Sequence, residues 1–340
     1  MCRDRGGGAG LTAGRRGRSD STPAARPAKT VFFGSGAFGI PTLEVLASDP
    51  DVELVGVVSA PDRPAGRGGH SSAVPVAARA RELGLPLLQP ERLRSPEALE
   101  SIVALGAALG VLTDYGQIVP AALLEAFAAG ILNVHPSLLP RHRGATPVPA
   151  AILGGDVESG VTLIRMDDGL DTGPIVAAER LALTGSETTP ELERRLAAIG
   201  SALVRRTVGP WLRGALVARP QDDGLATMTR PLRREDGRLD AGRTAATLER
   251  QVRAYQPWPG SFLETSVRLL VWRAEATPSE PDDRAGTLVR SGDTAALVTV
   301  DGRLRLIEVQ PAGGPRMTGA ELLRGRPGFV EPSGGSGRSG

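Results

Sequence analysis

Residues 29–46 read KTVFFGSGAFGIPTLEVL, an apolar run followed by a glycine-rich turn and a helical pattern. The run at 31–33 predicts a strand, and the pattern at 41–47 predicts a helix. Between them, residues 34–39 spell G-x-G-x-x-G, which in this context is the fingerprint of a dinucleotide-binding site. Glycines at these positions also serve simply to turn a strand tightly into a helix. The stretch therefore predicts a Rossmann-like beginning and leaves the ligand open.

A dinucleotide site also needs an acidic residue about 20 positions further on, which holds the ribose. The next apolar run, residues 54–58, is followed by Asp62. Asp62 belongs to the segment PDRPAGRG, which is a turn rich in proline, glycine and arginine. The fingerprint is therefore incomplete, and a NAD-dependent oxidoreductase is one hypothesis among several.

Strand-like and helix-like patterns alternate through the first two thirds of the chain. Strands are predicted at 31–33, 53–58, 86–89, 109–113 and 131–134, and helices at 41–47, 76–83, 95–105, 120–129 and 190–207. Such alternation is typical of βαβ units and a parallel sheet. We therefore predict an α/β fold, with a Rossmann-like parallel-sheet domain at the N-terminal end.

The pattern changes after Trp211. Short stretches of strand character are predicted at 266–273, 286–289, 295–300 and 303–309, with one helix at 248–254. Short strands at such spacing are typical of a small barrel or sandwich. We predict a disordered leader at 1–28, the Rossmann-like domain at 29–212, a basic linker at 213–232, a C-terminal β domain at 233–330 and a disordered tail at 331–340.

Composition excludes several classes of protein. The chain of 340 residues has one cysteine, so we expect no disulfide framework and no cysteine-based metal site. Its longest apolar run, 102–112, is far shorter than the roughly 18 residues that a membrane span needs. The net charge is +2, yet residues 201–260 carry eleven basic and six acidic side chains. This excess indicates either a polyanionic partner or a solvated arginine-rich linker.

The leader has few residues to bury. Its arginines are typical of a transit peptide, but Asp4 and Asp20 weaken that interpretation. A start codon assigned too far upstream explains the segment equally well.

Two predicted strands end in polar residues whose side chains could take part in catalysis. Residues 131–152 read ILNVHPSLLPRHRGATPVPAAI, where Asn133 and His135 alternate along a strand end and therefore face the same way. Residues 160–175 read GVTLIRMDDGLDTGPI, a strand that runs into a turn with Asp167, Asp168 and Asp171. Ligands of open α/β sheets bind outside the carboxyl ends of the strands. These two strand ends are therefore the candidate site.

Asparagine, histidine and aspartate together suit an acyl transfer in which a bound amine attacks directly. The amide and a charged imidazole stabilise an oxyanion, and the carboxylate orients the imidazole and helps to take the proton from the amine. Ser137 is an alternative nucleophile, but it lacks the G-x-S-x-G elbow. A purely structural His135 is the competing interpretation. Three histidines are too few for an ordinary metal site, although the acidic turn could hold Mg²⁺ weakly.

These segments resemble the signature segments of the 10-formyltetrahydrofolate-dependent formyltransferases. The segments NVHPSLLPRHRGATPVPAAI (133–152) and SGVTLIRMDDGLDTGPI (159–175) carry the resemblance to the whole family. The segments APDRPAGRG (60–68), DYGQIVP (114–120) and QVRAYQPWPGSF (251–262) are similar to the branch that formylates initiator methionyl-tRNA. The resemblance covers residues 30–330, which is nearly all of the chain outside the leader and tail.

The resemblance implies roles for particular residues. It implies a catalytic trio of Asn133, His135 and Asp171, and tRNA contacts from Arg63 and Arg67 in the loop at 63–69. It implies that 10-formyltetrahydrofolate, as co-substrate, lies beside Tyr115, Gly116, Gln117, Ile118, Ser137, Leu138, Leu139 and Pro140. It also implies an OB-like C-terminal barrel that binds initiator methionyl-tRNA, with no metal. We expect a monomer in the bacterial cytoplasm, or in an organelle if the leader is a transit peptide.

The chain departs from the family pattern at several points. The family's first glycine turn usually reads Gly-Thr-Pro-x-Phe-Ala, whereas residues 34–39 read Gly-Ser-Gly-Ala-Phe-Gly, so the resemblance makes the dinucleotide fingerprint an accident of sequence. Asp114 stands where small apolar residues are usual and adds a charge near the folate. Three alternatives remain: a formyltransferase or hydrolase acting without tRNA, for example on an amino-sugar nucleotide, a NAD-dependent oxidoreductase, and an RNA-binding protein without activity.

Overall fold

The computed structural model describes residues 26–65, 70–265 and 267–330. The predicted disordered tail, and all but the last three residues of the predicted leader, lie outside these ranges. The described chain begins its first strand at Ala28, close to the start predicted for the Rossmann-like domain. No helix among the described residues combines the length and the apolar character that a membrane crossing needs.

The helices and strands follow the predicted alternation and add elements to it. The strands are β1 (Ala28–Gly34), β2 (Val52–Val58), β3 (Arg63–Ala65), β4 (His70–Ser72), β5 (Leu87–Leu88), β6 (Leu109–Thr113), β7 (Ile131–His135), β8 (Arg143–Gly144), β9 (Glu158–Arg165), β10 (Ile175–Ala182), β11 (Met228–Thr229), β12 (Ser261–Leu263), β13 (Leu269–Pro278), β14 (Leu288–Ser291), β15 (Thr294–Val298), β16 (Gly302–Pro311) and β17 (Met317–Thr318). The α-helices are α1 (Ile40–Ala47), α2 (Pro75–Glu82), α3 (Pro96–Val103), α4 (Ala121–Ala126), α5 (Pro147–Gly154), α6 (Thr189–Leu212), α7 (Ala245–Ala254) and α8 (Gly319–Gly325).

Seven strands form the sheet of the N-terminal part, in the order β10-β9-β7-β6-β1-β2-β5. The strands from β5 to β7 are parallel, as predicted. The chain builds outward from β1 to β5 on one side and then returns to place β6 on the other side of β1. This reversal creates a switch point between the carboxyl ends of β1 and β6, where open α/β sheets bind ligands.

The far edge of this sheet adds two antiparallel strands to the predicted parallel ones. Strand β9 runs antiparallel to β7, and β10 runs antiparallel to β9. Residues 166–174 connect β9 directly to β10, and a connection this short permits only antiparallel pairing. The acidic turn is therefore the loop of a hairpin, which carries Asp171 back towards the end of β7.

Local signals fix several helix ends. Ser95 caps α3, because its hydroxyl accepts from the Ala98 amide at 3.3 Å, and Pro96 takes the first helical position. Thr188 and Glu191 form a reciprocal capping box at the start of α6. This helix begins where it was predicted to begin and extends to Leu212, past the predicted end at residue 207.

The C-terminal part is an antiparallel sheet in the order β12-β13-β16-β15-β14, with β17 paired to β16. Its core is built from β13, β15, β16 and the buried faces of α7 and α8. The prediction of a small β domain is confirmed. In the described pairings β12 and β14 remain the two edges, whereas closure into a complete barrel would join them.

Helix α7 connects the two parts. It packs on α5, where Arg250 Nε donates to the Leu153 carbonyl at 3.1 Å. The Thr189 hydroxyl donates to the Ala254 carbonyl at 2.6 Å. Ala254 and Tyr255 are buried in the core of the N-terminal part. The segment that follows α7 is thereby held beside the carboxyl ends of the parallel strands.

Candidate active site

A cavity of about 520 Å³ opens at the carboxyl ends of β6 and β7. Its lining comes from the glycine turn after β1, the ends of β6 and β7, β8 and the start of α5, the hairpin loop after β9, the start of α6, the predicted linker and the segment after α7. The lining residues include Ala37, Phe38, Leu112, Asp114, Tyr115, Gly116, Asn133, His135, Gly144, Asp171, Glu193, Leu232 and Trp258. The structure thus brings Asn133, His135 and Asp171 together in one cavity.

Asp171 is the centre of the trio. Its Oδ1 accepts from Asn133 Nδ2 at 3.1 Å, and its Oδ2 lies 3.5 Å from His135 Nδ1. The Gly144 amide donates to the same Oδ2 at 2.8 Å. All these contacts hold the carboxylate in place, and one hydrogen of the Asn133 amide remains for a further acceptor.

Both ring nitrogens of His135 face oxygen atoms. Nδ1 faces Asp171, and Nε2 lies 3.0 Å from the carbonyl oxygen of His142. Burial is the largest effect on the pKa of His135 and lowers it, whereas the carboxylate and the carbonyl favour the charged form. A neutral ring can donate to only one of the two oxygens, and a charged ring donates to both. The surroundings of His135 therefore contain groups that favour the neutral imidazole and groups that favour the imidazolium.

The loop after β7 is fixed by ion pairs on its outer side. Asp156 pairs with His142 Nε2 and with Arg141 Nη2, each at 2.7 Å.

His142 and Asp171 have φ angles of 58° and 54°, in the left-handed region that costs non-glycine residues roughly 1 kcal/mol. Such conformations persist where the surroundings hold them, and they cluster at functional sites.

Two backbone amides of the glycine turn after β1 already donate to an acceptor within the protein. The amides of Ser35 and Gly36 donate to the Asp114 carbonyl at 3.0 and 3.3 Å. A Cβ placed on Gly36 would lie 1.7 Å from Asp114 Oδ2. The amides that would hold a pyrophosphate in a dinucleotide site therefore serve the end of β6, and a carboxylate stands beside them. This arrangement argues against the oxidoreductase hypothesis.

Asp114 and Glu193 place two acids in the cavity. Both side chains are accessible from the cavity, but surrounding protein removes much of their hydration. This desolvation raises the pKa of Asp114 to about 6. Desolvation, with the nearby charge of Asp114, raises the pKa of Glu193 to about 7. The two carboxylates titrate in the neutral range, so the cavity carries fewer than two full negative charges there.

The residues expected to hold the folate divide into two groups. Tyr115 and Gly116 line the cavity with the trio. The others are not lining residues of this cavity: Gln117, Ile118, Ser137, Leu138, Leu139 and Pro140. Gln117 accepts from the Leu93 amide at 2.8 Å, and Ser137 donates to the Arg141 carbonyl at 2.6 Å. These two side chains support loops in this structure.

Of the two predicted tRNA contacts, Arg63 begins strand β3. Strands β3 and β4 pair from Arg63 to Ser72. Arg67 lies outside the described residues, and the side chain of Arg63 does too.

Several arginines of the basic stretch at 201–260 are paired within the protein: Arg206 with Glu179, Arg213 with Asp51, Arg230 with Asp236 and Arg253 with Glu249. The formal charge of this stretch therefore overstates the positive charge that is available to bind a polyanion.

Sequence reasoning missed the contribution of the predicted linker. Strand β11 of this segment pairs in parallel with β8, in the loop after β7. Gly144 permits the contact, since a Cβ there would lie 2.4 Å from the Thr229 carbonyl oxygen. Gln221 reaches the Asp171 turn from the same segment. These contacts join residues far apart in the chain, and no local pattern signals them.

Comparisons with known proteins identify the family of this chain and agree with its fold. The formyl transferase family profile matches residues 28–208, and the profile of the formyl transferase C-terminal domain matches residues 231–327. The chain belongs to the formyl transferase family. It is 41% identical to the methionyl-tRNA formyltransferase of Roseiflexus sp. (strain RS-1) over 302 residues, which is 88% of this chain and 93% of the relative.

Other relatives agree. The chain is 43% identical to the methionyl-tRNA formyltransferase of Halorhodospira halophila, covering 88% of this chain and 96% of the relative. Its fold is similar to that of the N-formyltransferase from Helicobacter canadensis, whose crystal structure contains folinic acid and dTDP-3-aminofucose. That similarity has a TM-score of 0.61 at 16% identity and covers 82% of this chain and 98% of the other. At this identity it concerns the fold alone.

Proposed function

We propose that the protein transfers the formyl group of 10-formyltetrahydrofolate to the free amino group of methionyl initiator tRNA. The observation that carries the reaction type is the convergence of Asn133, His135 and Asp171 in one cavity at the switch point of the sheet. The tRNA acceptor rests on the relatives named above and on the segments that resemble their branch. The proposal places the reaction in the bacterial cytoplasm and requires only one copy of the chain.

The folate supplies a formyl group already activated for transfer to an amine. The trio matches that chemistry, because it offers donors for a developing oxyanion and no side-chain nucleophile is needed. We place the donor end of the folate at Tyr115 and Gly116, which share the cavity with the trio. The remaining expected folate contacts, from Gln117 to Ile118 and from Ser137 to Pro140, would hold the rest of the molecule.

In the proposed mechanism the amine nitrogen bonds to the formyl carbon while its proton leaves towards the His135–Asp171 pair. Asn133 donates the free hydrogen of its amide to the formyl oxygen as that oxygen gains negative charge. Once it holds the proton of the amine, His135 exchanges its contact with the His142 carbonyl for the same oxygen. The bond from the formyl carbon to the folate nitrogen then breaks, and that nitrogen takes the proton from His135, so that atoms and charge balance.

Asp171 has two tasks in this mechanism. Its negative charge stabilises the imidazolium that forms when His135 holds the proton of the amine. Its position at Nδ1 also leaves Nε2 as the nitrogen that meets the substrate. Arg63 and Arg67 remain predicted contacts to the acceptor stem, where phosphate contacts would contribute most of the affinity.

The direct test is formyl transfer from 10-formyltetrahydrofolate to charged initiator tRNA, with charged elongator methionine tRNA as control. We expect formylation of the initiator alone. If neither tRNA is formylated but an amino-sugar nucleotide or another small amine is, the proposed acceptor is wrong. The proposed reaction type would still hold.

A further inference from the structure

Gln221, in the segment predicted as a linker, bonds directly to the turn that carries Asp171. Its Nε2 donates to the Asp171 carbonyl at 2.8 Å and to the Gly173 carbonyl at 2.7 Å. Its Oε1 accepts from Arg143 Nε at 3.0 Å and from Arg143 Nη2 at 2.8 Å. The side-chain amide of Gln221 therefore donates two hydrogen bonds and accepts two, which is its full capacity.

Chemistry fixes the orientation of this amide. Arginine only donates and backbone carbonyls only accept, so a reversed amide would lose all four bonds. Arg143 is buried, and its other partner is the exposed carboxylate of Asp223 at 2.7 Å. Gln221 thus connects a buried cation in the loop after β7 to the backbone of the hairpin loop after β9.

The same segment also holds the other side of the trio. Thr227 Oγ1 accepts from the His142 amide at 2.8 Å, and the His142 carbonyl is the group that faces His135 Nε2. The Thr227 carbonyl accepts from the Arg143 amide at 2.9 Å. Residues 221–229 therefore contact both backbone segments that surround the imidazole of His135.

We propose that Gln221 is a positioning residue for formyl transfer, which holds the Asp171 turn so that the carboxylate stays at His135 Nδ1. The argument rests on the proposed function for the reaction and on the bonds above for the geometry. Asp171 has a left-handed backbone, so its turn needs outside support to keep that conformation. The two bonds from Gln221 supply this support from a distant part of the chain.

Two substitutions separate positioning from simple burial of Arg143. Gln221→Glu keeps an acceptor for Arg143 and removes both donors to the turn. Gln221→Met removes acceptor and donors together. We expect both variants to fold and to lose about 10- to 100-fold in kcat, with KM for the folate and the tRNA unchanged, because a small misplacement of catalytic groups has effects of this size. Wild-type kcat in Gln221→Glu would overturn the proposal, since the amide would then serve only Arg143.

The neighbouring Asp222→Asn is the matched control. Asp222 is exposed, and within the described part of the chain its carboxylate accepts from the Gly224 amide alone, at 3.0 Å, a bond that asparagine can also accept. We expect wild-type kcat from this variant. A loss as large as that of Gln221→Glu would show that any change in the segment disturbs activity, and would contradict a specific role for Gln221.

A measurement without turnover follows the geometry itself. The charged groups that affect the pKa of His135 are Asp171 from the hairpin loop and His142 from the loop after β7. In the uncharged Gln221→Met variant we expect NMR titration to give a lower His135 pKa, by about one unit, because the carboxylate that favours imidazolium is displaced. An unchanged pKa would overturn the proposal.

The double variant completes the test. If Gln221 acts through Asp171, the His135 pKa of Asp171→Asn and of Asp171→Asn/Gln221→Met should be equal. A further change in the double variant would place the action of Gln221 elsewhere. Absence of formyl transfer to tRNA by the wild type would refute the proposed function, and these NMR comparisons would still decide the positioning role.

Discussion

The Asp114 carboxylate lies against Gly36 at a distance that leaves no room for a side chain, since a Cβ on the glycine would come within 1.7 Å of Oδ2. Gly36 has φ −78° and ψ 170°, which any residue can adopt, so the space and not the backbone requires glycine here. The structure therefore couples the small residue at position 36 to the carboxylate at position 114.

We predict that Gly36→Ala destabilises the protein by at most about 1 kcal/mol, because the added methyl group displaces the far end of the exposed Asp114 side chain. Asp114→Ala in the same chain should restore the free energy of unfolding, as measured by urea denaturation. Gly325→Ala is the control, since a Cβ on Gly325 meets nothing within 4 Å. Equal destabilisation in Gly36→Ala and in the double variant would contradict the coupling.

The raised pKa values of Asp114 and Glu193 predict a dependence of stability on pH. The folded protein keeps protons on these acids at about pH 6 and 7, whereas the unfolded chain releases them near their usual values of 3.8 and 4.5. Between about pH 4 and pH 7 the folded state binds more protons, so these two acids lower the free energy of unfolding as pH rises. We expect Asp114→Asn/Glu193→Gln to gain stability over the wild type across this range, as followed by thermal unfolding.

His135 is present in both proteins, so its own protonation cancels in the difference between the two stability curves. Parallel stability curves for wild type and the double variant from pH 4 to pH 7 would show that the cavity does not raise the pKa of either acid. The two groups interact, so the titration reports on the pair rather than on one residue.

Local signals in the sequence predicted the alternation of strands and helices and the shared side of Asn133 and His135, whereas the choice of Asp171 among three acids came from the family resemblance. The apolar runs of β1, β6 and β7 are buried on both faces, and the spacing of Asn133 and His135 places them on one side of a strand. Asp171 reaches them through the hairpin formed by β9, the acidic turn and β10. The sequence indicated β9 and the turn, but not β10. The specific roles of the trio in catalysis remain predictions.

The contribution of the predicted linker could not be derived in this way. Gln221 has no periodicity or motif that marks it, and its partners lie about 50 and 78 residues earlier. Composition described this segment as basic and exposed, and its arginines are in part neutralised by internal ion pairs. Tertiary contacts of high sequence separation depend on the whole fold, so only coordinates reveal them.

We predict that Asp171→Asn lowers kcat by about 10²–10⁴-fold while the protein stays folded. Asparagine keeps the shape and an acceptor for the Gly144 amide, but it loses the charge that supports His135 in proton transfer. Asp282→Asn is a matched control, because Asp282 also has a left-handed backbone, with φ 71°, and lies in the C-terminal part. Near-normal turnover by Asp171→Asn would refute the mechanism.

Trp258 is the last feature of the cavity with a predicted role. Its side chain is 56% exposed although it lines the cavity, and the segment around it is anchored by Gln256, whose Nε2 donates to the Trp272 carbonyl at 2.8 Å. An exposed aromatic face held in place is suited to stacking on a nucleobase at the end of the acceptor.

We predict that Trp258→Ala raises KM for methionyl-tRNA about 10-fold or more, since base stacking on an aromatic side chain contributes about 1–3 kcal/mol. KM for the folate and the free energy of unfolding should change little, because the indole is largely exposed. Trp258→Phe keeps an aromatic face and should recover most of the affinity. Steady-state kinetics with each substrate varied in turn distinguishes these outcomes: a rise in KM for the folate alone would assign the indole to the other substrate.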